Sequence, residues 1–103
     1  MPQISSRMAM SIMAAVPPMF GKFTDFLDVA WTASATSNVT YNVYRGTVSG
    51  GPYTLQGTGI SQLTFRDESV TPGTTYYYVV TAVDANHVEG AHSSEQSATV
   101  WTP

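Results

Sequence analysis

The chain has 103 residues, of which 43% are hydrophobic, 12% aromatic and 11% charged, so a single globular domain with one core is expected, its surface polarity coming mainly from Ser, Thr, Asn and Gln. Four Lys and Arg against seven Asp and Glu, a net charge of −3, exclude the basic patch that nucleic-acid binding requires. The absence of cysteine excludes a disulfide framework and a Cys-based zinc site.

Residues 1–20 form an atypical apolar head that holds all five methionines, and the body over 21–103 differs from it in character. Arg7 followed by Met8–Val16 has the outline of a secretory signal, but Ser11 interrupts the apolar run and no clean small-x-small cleavage site follows. No run approaches the ~20 apolar residues of a membrane span. Pro17 and Pro18 forbid a regular central strand, so the head is expected to lie as an irregular or edge strand against the body. Docking within one chain predicts a monomer, the favoured outcome; exchange between chains predicts an oligomer.

The body reads as short strands separated by turn chemistry. FLDVAWTA alternates Leu27, Val29 and Trp31 against Asp28, Ala30 and Thr32, the period of two of a half-buried strand. VTYNVYR alternates Val39, Tyr41, Val43 and Arg45 against Thr40, Asn42 and Tyr44, and SGGP at Ser49 to Pro52 ends it. A short edge strand, YTLQG, follows, and QLTFRD puts Leu63 and Phe65 on one face. TPG at Thr71 to Gly73 is a turn in which Pro72 presets φ and Gly73 accepts a positive one. TTYYYVVTAV sends Tyr76, Tyr78, Val80 and Ala82 to one face and Tyr77, Val79, Thr81 and Val83 to the other. The first set is expected to face the core, with the Tyr76 hydroxyl bonding backbone at the corner. SSEQSATVW closes the chain, with Gln96, Ala98 and Val100 on one face. Strands at spacings of about ten residues, with no helical period among them, predict an all-β antiparallel sandwich of two layers.

TPGTTYYYVVTAVD resembles the E–F turn and strand F of a fibronectin type III domain, WTAS its strand B, YNVYRGTVSGGPY its strands C and C′ in bacterial members, and SATV its strand G. The resemblance covers residues 27–103 and implies a seven-stranded Greek-key, immunoglobulin-like sandwich. Trp31, Tyr41, Val43, Tyr76, Tyr78 and Val80 are then structural. The family's strand A has no clear counterpart, and VPPMFGKFTDF must supply it. Gln96 stands where the family leads to an inward apolar residue, and His92 where bacterial members carry an aromatic.

Candidate binding residues follow from exposure and from the loop after the tyrosine strand. Adjacent strand residues face opposite sides, so the three tyrosines cannot form one platform; Tyr44 and Tyr77 are expected on the outer face, open to a sugar ring or a protein. DANHVEGAH gathers Asp84, Asn86, His87, Glu89 and His92 in what would be the F–G loop. Their spacing matches no closed zinc site, so no metal is assigned. Gly57-Thr58-Gly59 lacks the third glycine of a dinucleotide fingerprint, and the neighbours Asp67 and Glu68 cannot flank one bond as a glycosidase pair does. No catalytic residue and no cofactor are assigned. Asn38-Val39-Thr40 is a glycosylation sequon by pattern. The expected function is a non-catalytic spacer or protein-interaction module of a bacterial surface or secreted protein. Two alternatives stand beside it: a carbohydrate-binding accessory domain using Tyr44, Tyr77 and Trp101, and a structural subunit that self-associates through the head. The expected partner is thus an unidentified protein or glycan.

Overall fold

The computed structural model describes residues 10–14 and 26–100. Seven strands lie among them: β1 (Met10–Ala14), β2 (Leu27–Trp31), β3 (Thr40–Gly46), β4 (Thr54–Ile60), β5 (Thr64–Asp67), β6 (Thr75–Val83) and β7 (Gln96–Thr99). They form two sheets, ordered β1-β2-β5 and β4-β3-β6-β7, and every strand pair is antiparallel. No helix occurs among the described residues, and none is long and apolar enough to cross a membrane. The fold is the all-β antiparallel sandwich of two layers that the strand pattern implied.

The inward faces follow the period of two. Leu27, Val29 and Trp31 of β2 face Tyr41 and Val43 of β3 and Tyr76, Tyr78, Val80 and Ala82 of β6, and Val70 and Val100 complete the buried cluster. Full burial of a side chain the size of Leu27 or Val29 stabilises by about 1.5–3 kcal/mol. The Trp31 and Tyr41 rings meet at 5.4 Å in a tilted arrangement. The indole Nε1 of Trp31 is buried without a hydrogen-bond partner among the described residues.

At the turn before β6, Thr74 N–H donates to Thr71 O at 3.2 Å and Gly73 takes a φ of +81°. The Thr71 N–H, which the turn would leave open, donates to the Tyr76 hydroxyl oxygen at 2.8 Å, so the ring bends over the corner it follows.

Three features depart from simple alternation. On β6 the outward Val79 and Thr81 are buried as well, because the chain after the strand doubles back along it: Gly90 N–H donates to Ala82 O and Ser93 N–H to Val80 O, both at 2.8 Å. β4 runs through Gly57 and Gly59 to Ile60, three residues past the short strand expected from YTLQG, with two register shifts against β3. Gly57 allows this by close approach, since a Cβ there would lie 2.6 Å from Cε1 of Phe65. Gln96 lies opposite Tyr78 on β7 and so shares its inward register, yet it is exposed, because it opens an edge strand at the end of the sandwich.

β1 lies at the edge of its sheet and pairs with β2 from Met10↔Trp31 to Ala14↔Leu27, and Ile12 packs against the core. The head's remaining residues, Pro17, Pro18, the boundary at residue 20 and Trp101 lie outside the described residues.

Candidate functional site

Because Tyr41 and Val43 of β3 point into the core, Asn42 and Tyr44, which alternate with them, stand on the outer face of the four-stranded sheet. Across β6 their partners are Thr81 and Val79. The segment that doubles back over this face starts in a tight turn. There Asp84 Oδ1 accepts the N–H groups of Asn86 and Val88 at 2.9 and 3.0 Å, and His87 takes a φ of +62°. An isolated bridge, Val83↔Glu89, then sets the return path.

Glu89 closes the first of two clasps. Its Oε2 accepts the Thr81 hydroxyl at 2.5 Å, the Asn42 amide at 3.2 Å and the Tyr44 hydroxyl. Thr58 on β4 donates to Asn42 Oδ1 at 2.7 Å, which orients that amide towards the carboxylate. Burial alone would push the Glu89 carboxyl up, but the donors Thr81, Tyr44 and Asn42 outweigh it and hold it below the usual range.

Glu95 closes the second clasp on the β3–β4 turn. Ser49 donates to its Oε2 at 2.7 Å, and the Gly50 N–H, at 2.7 Å, and the Tyr53 hydroxyl donate to Oε1. The Gly50 N–H is the largest of the causes that hold the Glu95 carboxyl below the usual range, followed by Tyr53 and Ser49. The two phenols move the other way. Burial and then Glu89 push Tyr44 up, and the bond to Glu95 and then burial push Tyr53 up, so both remain donors at neutral pH.

His92 lies between the clasps. Its ring centroid is 5.5 Å from that of Tyr44, tilted by 41°, and 5.8 Å from that of Tyr53, edge-on at 85°. Leu55, paired with Tyr44 across the β3–β4 hairpin, is 47% exposed beside them. A row of three rings, flanked by two carboxylates, an amide and hydroxyls, therefore faces outward on a rigid sheet.

Of the binding residues expected from sequence, the fold brings Tyr44, Glu89 and His92 together. Tyr77 is half-buried on β6, opposite Gly46 and Ser97. Asn86 and His87 stand exposed at the turn, where Asn86 borders an open cleft of about 460 Å³ between residues 35–38 and 84–86. Trp31, Tyr41, Val43, Tyr76, Tyr78 and Val80 are buried in the core. Asn42, Tyr53, Thr81 and Glu95 are the site residues that sequence reasoning missed. Asn42 shares the outward parity of Tyr44 and could have been found by it, whereas Tyr53 and Glu95 meet across 42 residues of chain with no local signal. Among the described residues no group of three or more His, Cys, Asp or Glu is placed to hold a metal ion.

No protein-family profile matches the chain. It is 42% identical over 72 residues to an amylopullulanase of Thermoanaerobacter thermohydrosulfuricus, a match that covers 70% of this chain and spans only 5% of that enzyme's length. The sixth fibronectin type III domain of human fibronectin type III domain containing protein 3 shares the fold, with a TM-score of 0.61 at 19% identity over 99% of this chain and 82% of that one. The crystal structure of a Fn3-like protein from Clostridium thermocellum superposes with a TM-score of 0.70 at 37% identity, covering 90% of this chain and 92% of that one. Such identity over nearly the full length of both chains, on a shared sandwich, means that this chain belongs to the fibronectin type III-like family.

Proposed function

We propose that this chain is a non-catalytic accessory module, a rigid spacer within a larger bacterial protein that acts on a polysaccharide outside the cell. The observation that carries this reading is the match to one module-sized stretch, 5% of an amylopullulanase. Stiffness suits the role: the two sheets are tied through the core by a buried hydrogen-bonded carboxylate, Asp67, and the longest excursion of the body is fastened by two carboxylate clasps. The extracellular setting follows from the substrate, since a polymer too large to enter a cell is met outside it.

Two measurements test the reading. The isolated chain, incubated with soluble starch or pullulan, is expected to release no reducing ends; saturable release by the purified chain overturns the non-catalytic part. Set between two fluorescent proteins, the chain is expected to hold them at a narrow distribution of energy-transfer efficiencies. A broad distribution like that of a flexible linker overturns the spacer part.

A further inference from the structure

We propose that the outer face of the β4-β3-β6-β7 sheet is a contact site for neutral glycans, centred on the row Tyr44, His92 and Tyr53. The choice of ligand class rests on the accessory-module reading; the site itself rests on geometry.

Glycan recognition needs an apolar ring face for the C–H side of a sugar and fixed acceptors for its hydroxyls. Successive centroids in this row lie 5.5 and 5.8 Å apart, comparable with the width of one pyranose ring. The exposed Leu55 extends the apolar surface beside Tyr44. The rings are held before any ligand arrives: Tyr44 is tied to Glu89, Tyr53 to Glu95, and the Tyr53 ring lies against the backbone of Gly46 and Gly51, where a Cβ would come within 3.2 Å of it. Such preorganisation lowers the entropic penalty of binding. Because Tyr44 and His92 are only moderately tilted while Tyr53 stands edge-on, the row forms a corner rather than a flat platform. That shape suits a bent chain or a chain end better than a crystalline sheet of polymer.

Charge decides which glycan. Glu89 and Glu95 flank the row, and three donors converge on Oε2 of Glu89 alone, so acceptor capacity remains on this exposed residue. The described basic side chains are engaged elsewhere, Arg45 with Asp67 inside the sandwich and Arg66 with Asp28 on the other sheet. A face with two carboxylates and, among the described residues, no Lys or Arg accepts hydrogen bonds from neutral hydroxyls and repels a polyuronate.

The test is affinity electrophoresis of the chain in gels containing pullulan or polygalacturonate, together with an amide NMR titration with maltohexaose. Retardation is expected in pullulan and not in polygalacturonate, with shift changes concentrated at residues 42–44, 53–55 and 89–95. His92→Ala, its spectrum otherwise dispersed like the parent's, is expected to weaken binding about two- to tenfold, the range of one aromatic contact. Tyr44→Phe keeps the ring and is expected to bind better than Tyr44→Ala. The proposal is overturned if maltohexaose at about 10 mM shifts no resonance, if the shifts map to the β1-β2-β5 sheet, or if polygalacturonate retards the chain as strongly as pullulan does. A chain that binds no glycan and releases no reducing ends loses this site but keeps the spacer role.

Discussion

The Tyr78 hydroxyl on β6 donates to Asp67 Oδ2 on β5 at 2.6 Å, a buried hydrogen bond that joins the two sheets across the core. Arg45 Nη1 reaches the same oxygen at 2.8 Å, and Ser69 donates to Oδ1 through its hydroxyl at 2.9 Å and its N–H at 3.2 Å. Asp67 is only 2% exposed, so its charge is tolerable because these donors surround it. Asp67→Ala leaves Arg45 and Tyr78 without their acceptor and is expected to lower stability by about 3–5 kcal/mol. Tyr78→Phe removes one bond to a charged group and is expected to cost about 1.5–3 kcal/mol. Urea denaturation measures both, and an Asp67→Ala variant as stable as Tyr78→Phe would mean that Asp67 is not the hub.

The same network sets the pH response. Burial pushes the Asp67 carboxyl up, but hydrogen bonds from Tyr78, Arg45 and Ser69 outweigh it, and its folded pKa lies below the ordinary value. A depressed carboxylate contributes stability that is complete above the unfolded value of about 4 and is lost as pH falls through the folded one. Burial and then Asp67 raise the Tyr78 phenol, whose contribution is complete below about pH 10 and is lost above it. Stability is therefore expected to form a plateau with an acid and an alkaline limb. In Asp67→Asn the acid limb should be shallower, with Glu89 and Glu95, also depressed, supplying what remains. Urea midpoints from about pH 3 to about pH 11 report this; an acid limb of unchanged steepness in Asp67→Asn assigns it to other carboxylates.

How far the sequence foretold this arrangement depends on the range of each interaction. β2, β3 and β6 were legible because alternation is local and the inward residues are large and apolar. Asp67 was legible in principle: it follows Leu63 and Phe65 at the same parity, as Arg45 follows Tyr41 and Val43, so two strands each end in an inward charge of opposite sign. The pair went unread because Arg45 and Asp67 lie 22 residues apart, with no local signal that joins them. β4 was cut short after Gly57 because Thr58 and Gly59 offer no alternating apolar face, whereas Gly57 makes room for the Phe65 ring and Gly59 takes a φ of +65°. In the candidate site, Tyr44, Glu89 and His92 were visible as chemistry, but their meeting depends on the return of residues 89–95 along β6. That path is held by Gly90 and Ser93 backbone bonds, by the Ser93 hydroxyl that accepts the Val80 N–H, and by the Glu89 and Glu95 clasps, all with partners outside the segment's own sequence pattern.

Gly57 and Gly59 separate two reasons for glycine. At Gly57 the backbone would accept alanine, but the new Cβ would lie 2.6 Å from Phe65 Cε1 and 3.0 Å from Ile60 Cδ1. Gly57→Ala is expected to cost about 1–3 kcal/mol by overpacking, and Phe65→Leu in that background to recover part of it. Gly59→Ala meets open space and instead suffers the positive φ, at a cost of about 1–2 kcal/mol that Phe65→Leu leaves unchanged. Thermal melts of the four variants check this, and equal rescue at both positions would remove the steric account of Gly57.

The edge strand supplies the last test. β1 covers the side of β2 that would otherwise present unpaired N–H and C=O groups beside Leu27, Val29 and Trp31, and Ile12 adds apolar contact. Deleting residues 1–14 removes that pairing and the contact of the partly buried Ile12, worth about 1–2 kcal/mol. For a domain near this size each kcal/mol shifts Tm by about 4–8 °C, so a fall of several degrees is expected. The freed β2 edge is also expected to pair with other copies, which makes the shortened chain associate with rising concentration. Calorimetry gives the first quantity and light scattering the second. An unchanged Tm with an unchanged mass contradicts docking of β1 on β2 in solution. A full-length dimer that falls to monomers on deletion shows that β1 is donated to a partner's β2, because only exchange makes the strand necessary for association.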